Sequence, residues 1–361
     1  MPLFEKFPVD KDVVGKLVKE HYNLQLGDLL KASQNHTFSA TKIGNENNSS
    51  TNLPAEKFVV RATPDPTEKH YDRICDELFF CYYLANIAKV PGVCGPVLPL
   101  SNTEHSDITI TKDGTNFSIK TPHAWAVRVD KLIVCVTTWA QGNPVDFMSY
   151  KWMTDANIIR EWGSTFARIH NGSKQFSVDF PDISKRMRTW TDLHDNIMAS
   201  TVESLHPDDS AVINNPQYYG ILHGDLNVSN FHLAEIKPGT DTNAPEYQLY
   251  SFDWDQCQHG WWEYDLAQGA LTTYMLKEAG SLPVGAEVVK EANPEYFDQM
   301  IIEGYELING KNSVNRERYN RMVQLRKKFY GLFCSRAVIE GVPPEMGWFI
   351  DYCNVWINGK K

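Results

Sequence analysis

The sequence predicts an α+β protein of two lobes, a small sheet-rich N-terminal lobe and a larger helical C-terminal lobe. At 361 residues the chain is long for a single hydrophobic core. Strand patterns dominate residues 25–139 and helical patterns dominate the rest. At "TTWAQGNP", residues 137–144, a strand runs into a connection that contains Gly and Pro. We therefore predict lobes at 1–140 and 141–361.

The N-terminal lobe begins with a predicted helix over residues 9–22, where Val13, Leu17 and Val18 recur at helical spacing. A tight turn near Gln34 and Asn35 joins two predicted strands. A polar loop at 44–56 then leads into a third predicted strand, which is buried. After this strand we predict a helix within residues 69–89 that ends before Pro91. The predicted strands are "LGDLLKAS", "HTFSATKI", "KFVVRAT", "DITIT", "FSIKT", "HAWAVRV" and "KLIVCVTTW".

The C-terminal lobe opens with a predicted amphipathic helix over residues 154–170, for which Thr154 is a good N-cap. Its apolar face carries Ile158, Trp162 and Phe166. Long amphipathic helices are predicted over 264–341, and "EMGWFIDYCNVWI" closes the chain.

Composition restricts the class of protein. The chain is 42% hydrophobic and 22% charged, as in soluble globular proteins, and has a formal net charge of −10. This charge argues against nucleic acid as a main partner, because phosphate backbones bind clustered Lys and Arg. Seven scattered cysteines without a C-x-x-C pair indicate reduced thiols in a cytoplasmic protein. The chain shows no signal peptide and no apolar run long enough to cross a membrane, so no membrane partner is expected.

Two polar stretches carry the chemistry. "ILHGDLNVSN", residues 221–230, contains Asp225 and Asn230, and "YSFDWDQCQHGWWEYDLA", residues 250–267, contains Asp253. A carboxylate held in a loop can accept a proton from a substrate hydroxyl. An amide oxygen and a second carboxylate are hard ligands suited to Mg²⁺ that also holds nucleotide phosphates. Together they form the minimum set for phosphoryl transfer.

Simpler interpretations of these residues remain open from the sequence. The first stretch could be an ordinary polar surface loop, and Asp255 a solvated loop carboxylate. A metal hydrolase is disfavoured, because His223 and Asp225 are close in sequence while the other histidines are scattered.

The order H-G-D-L-N-V-S-N and then F-D-W-D resembles the aminoglycoside phosphotransferase/choline kinase superfamily, whose fold is similar to that of protein kinases. The resemblance covers most of the chain: "EWGSTFARIH", "GWWEYDLA" and "KFVVRAT" are similar to further segments of that family. It implies that Asp225 is the catalytic base and that Asn230 and Asp253 hold Mg²⁺, with Asp255 as a candidate for a second metal. It also implies that His223 braces the loop and that Asp265 stabilises the fold.

The resemblance also implies a nucleotide site in the N-terminal lobe. Arg61 stands where protein kinases have Lys, and Glu77 on the next helix is its partner. The stretch that would cover the phosphates, "KASQNHTFSATKI", has no Gly, so phosphate contacts by Ser33, Asn35 and His36 stand beside the alternative of a plain turn. The connection between the lobes, with Thr138 and Ala140, is similar to the family's hinge.

The acceptor is harder to predict. Aromatic faces with carboxylates suit a cationic amine, although a Trp or Tyr at helical spacing is often core. The candidate acceptor residues are Trp261, Trp262, Glu263, Tyr264, Trp348 and Asp351.

The predicted function is transfer of the γ-phosphoryl group of ATP, with Mg²⁺, to a hydroxyl of an amine-bearing small molecule. Amino alcohols, hydroxy amino acids and aminoglycosides are the acceptor classes considered. A Ser/Thr protein kinase is one alternative, but "HGWWEYDLA" leaves little room for an activation loop. A catalytically inactive nucleotide-binding pseudokinase is the other.

Overall fold

In the computed structural model the chain divides into two units. The N-terminal unit comprises Phe4–Ile87 and Cys94–Trp139, and the C-terminal unit comprises Ala88–Val93 and Ala140–Lys361. The boundary after Trp139 lies beside the one expected at residue 140, whereas residues 88–93 group with the C-terminal unit. The structure describes residues 8–32, 35–43, 56–100, 105–112, 115–122, 125–239, 244–279, 290–338 and 356.

Antiparallel strands form most of the N-terminal unit. They are β1 (Leu24–Ala32), β2 (His36–Lys42), β3 (Lys57–Pro64), β4 (Pro96–Val97), β5 (His105–Lys112), β6 (Thr115–Pro122), β7 (Val127–Val129) and β8 (Leu132–Thr138). In the described chain, six of them make one sheet in the order β1-β2-β3-β8-β4, with β7 paired to β8, while β5 and β6 pair separately. The predicted strands all form, although "HAWAVRV" contributes only its last three residues.

The first helix, α1 (Lys11–Tyr22), packs on this sheet. The Asp10 carboxylate caps it by accepting a hydrogen bond from the Asp12 backbone N–H at 2.8 Å. Its buried face is Val14, Leu17 and Val18. The predicted face included Val13, which is instead 42% exposed. Val14 lies three residues before Leu17 and four before Val18, so it is next to both on the helix surface, whereas Val13 is next to Leu17 alone.

Helices make up most of the C-terminal unit. They are α3 (Lys151–Thr154), α4 (Ala156–Asp179), α5 (Pro181–Arg186), α6 (Leu193–Asn196), α7 (Pro207–Ser210), α8 (Trp262–Ala279), α9 (Pro294–Asn309) and α10 (Arg316–Val338), which follow α2 (Tyr71–Tyr82) of the N-terminal unit. The strands of the C-terminal unit are β9 (Asn143–Pro144), β10 (Tyr219–Leu222), β11 (Phe231–Lys237), β12 (Glu246–Ser251) and β13 (Gln258–Trp261). Antiparallel pairing joins β10 to β13, and β11 to both β12 and β9.

The start of α4 differs from the predicted one. Asp155, not Thr154, is its N-cap, and the Asp155 carboxylate accepts a hydrogen bond from the Asn157 N–H at 2.8 Å. Thr154 ends the short α3, and its hydroxyl donates to the Tyr150 carbonyl at 3.0 Å. Because that bond uses the Thr154 hydroxyl inside the preceding turn, the adjacent carboxylate takes the capping position.

Helices α4 and α9 pack against each other through two glycines. A Cβ atom at Gly163 would lie 1.9 Å from the Ile301 carbonyl oxygen, and one at Gly304 would lie 2.0 Å from the Arg160 carbonyl oxygen. Both sites therefore require glycine for the helices to approach so closely. The Ser164 hydroxyl, which donates to the Gly304 carbonyl at 2.8 Å, adds a buried hydrogen bond at this crossing.

Across the described residues, no helix combines the length and apolar character needed to span a membrane. The six cysteines in this part of the chain are free thiols.

Candidate active site

The loop that carries Asp225 lies between β10 and β11 of the C-terminal unit. Gly224, immediately before Asp225, has φ +83°, and a Cβ atom there would lie 2.1 Å from the Gln256 carbonyl oxygen. Both the left-handed backbone and the close approach require glycine. The loop is thus packed directly against the segment that follows Asp253.

Four side-chain amides donate hydrogen bonds to the Asp225 carboxylate. Oδ1 accepts from Gln268 Nε2 at 2.7 Å and from Asn227 Nδ2 at 2.9 Å. Oδ2 accepts from Asn230 Nδ2 at 3.0 Å and from Gln256 Nε2 at 3.3 Å. These four amides, which are neutral donors, hold the carboxylate in one orientation, as a positioned proton acceptor requires.

Sequence reasoning missed Gln256 and Gln268. Gln268 follows Asp265 by three residues on α8, a spacing that places two side chains on the same side of a helix. That spacing was a usable signal. Gln256 gave none, because its contact with Asp225 depends on how two loops meet.

The structure brings Asn230 and Asp253 to the adjacent ends of β11 and β12. Phe231 pairs with Ser251, and the Phe252 N–H donates to the Asn230 carbonyl at 3.1 Å. Asp253 follows directly and has φ +64°, a left-handed conformation that Asp adopts more readily than most non-glycine residues.

The side-chain chemistry at these strand ends suits a hard divalent cation. The side-chain amide nitrogen of Asn230 donates to Asp225, so the oxygen of the same amide, Asn230 Oδ1, is directed away from Asp225. An amide oxygen and a carboxylate are the ligand types that Mg²⁺ and Ca²⁺ prefer. Asp255 lies two residues further on, and its backbone carbonyl accepts from the Arg188 guanidinium. Its side chain is half-buried.

His223 connects the two loops. Its Nδ1 lies 3.4 Å from the Asp225 backbone N and its Nε2 lies 3.2 Å from the Phe252 carbonyl oxygen. Its ring packs on Trp254 with the centroids 4.1 Å apart. A neutral ring with its proton on Nε2 satisfies both contacts. Burial lowers the pKa of His223 to about 4, which keeps the ring neutral near pH 7.

Asp265 anchors the loop from α8. Its carboxylate accepts from the backbone N–H groups of His223 and Gly224, each at 3.0 Å, and lies 3.1 Å from His170 Nε2. Burial acts to raise the pKa of Asp265, but the His170 hydrogen bond and the nearby Arg326 charge outweigh it and lower the pKa. Arg326 also donates to the Gly224 carbonyl at 2.9 Å.

Acidification is expected to destabilise the protein through His223. The ring titrates at about 4 in the folded state and near 6.5 when unfolded. Between these values the unfolded chain binds a proton that the folded chain does not. The free energy of unfolding therefore falls as the pH falls, by roughly 3 kcal/mol for this group over the whole interval. Urea unfolding near pH 7.5 and near pH 5 measures the loss.

The matched variant for this measurement is His223→Gln, whose amide can still donate a hydrogen bond but does not titrate. We expect it to lose less stability than the wild type on acidification. The buried rings of His170 and His259, whose pKa values burial also lowers, are present in both proteins and cancel in the comparison. Equal losses in the two proteins would contradict the prediction.

The N-terminal unit holds the residues predicted to contact nucleotide. Arg61 Nη1 forms a 2.7 Å ion pair with Glu77 Oε1, and both side chains are largely buried. Asn35 Oδ1 accepts from the Thr63 hydroxyl at 2.8 Å, and His36 pairs with Ala62. Asn35 and His36 therefore lie at the end of β3 that carries Thr63, whereas Ser33 lies outside the described residues.

The two predicted hinge residues fall in different units. Thr138 ends β8, where it pairs with Phe58 and its N–H donates to the Gly95 carbonyl at 3.0 Å. Ala140 is buried in the C-terminal unit, and its carbonyl oxygen lies 3.3 Å from His232 Nδ1.

Four residues predicted to line the acceptor site are instead part of the core. The Trp261 indole donates to the Asp209 carbonyl, and the Trp262 ring packs 4.6 Å from that of His170. Glu263 forms a buried 3.4 Å ion pair with Arg318. Tyr264 is fully buried beneath the Arg326 guanidinium. The segment enters β13 and α8, both covered by neighbouring elements, so its aromatics pack internally. Trp348 and Asp351 lie outside the described residues.

A cavity of about 330 Å³ opens beside Asp225 instead. Loop residues, α8 and α10 supply most of its wall. The lining residues are Phe147, His194, Asp225, Asn227, Val228, Ser229, Gln256, Gln268, Leu271, Thr272, Met275, Phe329, Tyr330 and Phe333. Its volume is at the lower end of the roughly 300–1,000 Å³ typical of ligand sites. The site thus combines an oriented carboxylate with room for a small molecule.

No protein-family model and no curated protein sequence matches the chain. Solved structures do. An amicoumacin kinase in complex with AMP-PNP, Ca²⁺ and Ami superposes with a TM-score of 0.64 at 16% identity, over 97% of this chain and 94% of that one. A proposed aminoglycoside phosphotransferase of Ralstonia eutropha superposes with a TM-score of 0.50 at 13% identity, over 96% and 95%. The chain therefore has the α+β kinase-like fold of the aminoglycoside phosphotransferases, as its motifs predicted.

Proposed function

We propose that the protein is an ATP- and Mg²⁺-dependent kinase that phosphorylates a hydroxyl of a small molecule. The observation that carries this proposal is the Asp225 carboxylate, which four amides orient in the wall of a cavity. The fold shared with the amicoumacin kinase structure supports it.

In this proposal the acceptor hydroxyl lies in the cavity and donates its hydrogen to Asp225. Gln256 makes the longest of the four amide contacts, so its site on Oδ2 is the easiest for the hydroxyl to take. The acceptor oxygen forms a bond to the γ-phosphorus, the bond from that phosphorus to the β,γ-bridging oxygen breaks, and the proton passes to Asp225. ADP leaves with the electron pair. Positioning and charge neutralisation supply most of the catalysis in such reactions.

The residues at the strand ends, Asn230 Oδ1 and the Asp253 carboxylate, would hold the metal. Bound Mg²⁺ would supply charge screening to the phosphates. Asp255 is a further candidate ligand. In the N-terminal unit, Arg61 would contact the phosphates, oriented by its ion pair with Glu77, because a guanidinium matches the geometry of phosphate oxygens. Near the phosphates would be Asn35 and His36, and near the nucleobase of ATP would be Thr138 and Ala140.

The proposal is tested by ADP release with Mg-ATP over a panel of amino alcohols, hydroxy amino acids, sugars, aminoglycosides and a generic protein. We expect turnover on a small molecule that chelation of Mg²⁺ abolishes. Mg-ATP should also raise the melting temperature, since a ligand that binds only the folded state stabilises it. Asp253→Asn should weaken both effects, whereas Asp182→Asn, an exposed carboxylate on α5, should change neither.

Two results would overturn the proposal. Phosphate incorporated into the generic protein alone would make the chain a protein kinase. A melting temperature that Mg-ATP leaves unchanged, with no ADP release on any acceptor, would make it a protein without kinase activity.

A further inference from the structure

The wall of the cavity beside Asp225 is mainly apolar. Seven of its side chains are apolar or aromatic: Phe147, Val228, Leu271, Met275, Phe329, Tyr330 and Phe333. The polar ones are amides, hydroxyls and one imidazole. Among the described lining residues Asp225 is the one carboxylate.

The Asp225 carboxylate already has hydrogen-bond partners and a proposed role. Both of its oxygens accept amide N–H groups, and the proposed function requires it for the acceptor hydroxyl. A second or third ammonium group on an acceptor would enter this space without a described carboxylate beside it. Burial of an unpaired charge is strongly unfavourable. An aromatic face could accommodate one cation, but not several.

The aromatic side chains that line the cavity pack against one another. The rings of Phe329 and Phe333 stack with centroids 6.2 Å apart, and the His194 ring lies 4.5 Å from that of Phe333. From α8, Gln268, Leu271 and Met275 recur at helical spacing along the cavity wall. Such a wall favours a ligand with an apolar or aromatic body, because its binding removes apolar surface from water on both partners.

We propose that the acceptor is a hydroxyl compound with an apolar or aromatic body that carries at most one positive charge, and that polycationic aminoglycosides are not acceptors. This inference rests on the proposed kinase function and narrows its acceptor class. Of the amine-bearing classes, it keeps amino alcohols and hydroxy amino acids with apolar side chains. It assigns Met275, Leu271 and Phe333 as residues that determine specificity.

The test compares kanamycin, a polycation, with phenylalaninol and 2-phenylethanol, an aromatic monocation and its neutral counterpart, in ADP release with Mg-ATP. Met275 is half-buried at the cavity, so Met275→Glu adds a carboxylate there with little change in size, and Met275→Gln is the neutral control. We expect turnover on an aromatic alcohol and none on kanamycin. The Glu variant should raise KM for 2-phenylethanol by about tenfold or more. The Gln variant should raise KM by a smaller factor, because it alters the cavity wall without adding a charge.

The outcomes separate this inference from the proposed function. Kanamycin turnover by the wild type, or no turnover on either aromatic alcohol while Mg-ATP still raises the melting temperature, overturns the acceptor class and leaves nucleotide binding intact. Equal KM changes in the Glu and Gln variants overturn the charge argument. If Mg-ATP neither binds nor turns over with any acceptor, the kinase function itself fails.

Discussion

Replacement of Asp225 by Asn is expected to lower kcat by about 10²- to 10⁴-fold, the usual contribution of a positioned acid or base. The amide cannot take the hydroxyl proton, and its NH₂ group would face two of the four amide donors that now bind the carboxylate. ADP release in the presence of an accepted small molecule measures the loss.

The control for Asp225→Asn is nucleotide binding. Because the proposed metal and phosphate contacts belong to other residues, Mg-ATP should still raise the melting temperature of the variant. Turnover that matches the wild type would show that Asp225 is not the catalytic base and would contradict the proposed mechanism. Loss of both turnover and the Mg-ATP effect would indicate that the variant damages the loop as a whole.

Asp265→Asn is expected to lower the free energy of unfolding by about 3–5 kcal/mol, the scale at which one partner of a buried charged network is removed. Asp265 accepts from two backbone N–H groups of the loop that carries Asp225 and contacts His170. An Asn has one acceptor oxygen, so at least one buried donor loses its partner, and Arg326 loses a nearby negative charge. Urea unfolding at neutral pH measures the change.

The matched control is Asp182→Asn, the same substitution at an exposed helical position, where we expect a change within about 0.5 kcal/mol. A change of similar size in both variants would mean that Asp265 is not the anchor of the loop. If Asp265→Asn folds, its remaining turnover should be reduced, because the N–H groups of His223 and Gly224 are no longer both held.

Local sequence signals were sufficient for the architecture. Alternating apolar residues predicted β3, whose buried positions Phe58, Val60 and Ala62 recur every second residue. Helical spacing predicted α4. The paired motifs predicted the kinase-like fold, because Asp225, Asn230 and Asp253 occur in a fixed order with distinctive neighbours.

Two local predictions were wrong at positions where either of two neighbouring residues could have filled the same role. Thr154 and Asp155 can both cap a helix, and a hydrogen bond to Tyr150 decided between them. Val13 and Val14 are both apolar, and only the direction of the sheet contact separates them.

From the sequence by itself came the candidate residues of the site: Asp225 and Asn230 in one polar stretch, Asp253 in the next, His223 as a brace of the loop and Asp265 as a residue that stabilises the fold. The tertiary structure decided which residues from other segments of the chain lie around Asp225. Gln256, Gln268 and Phe333 reach the cavity from three different segments, while Trp261 and Tyr264, equally aromatic in sequence, are core. The physical reason is that motifs are local in the chain, whereas a side chain faces a core or a cavity according to the packing of elements far apart in sequence.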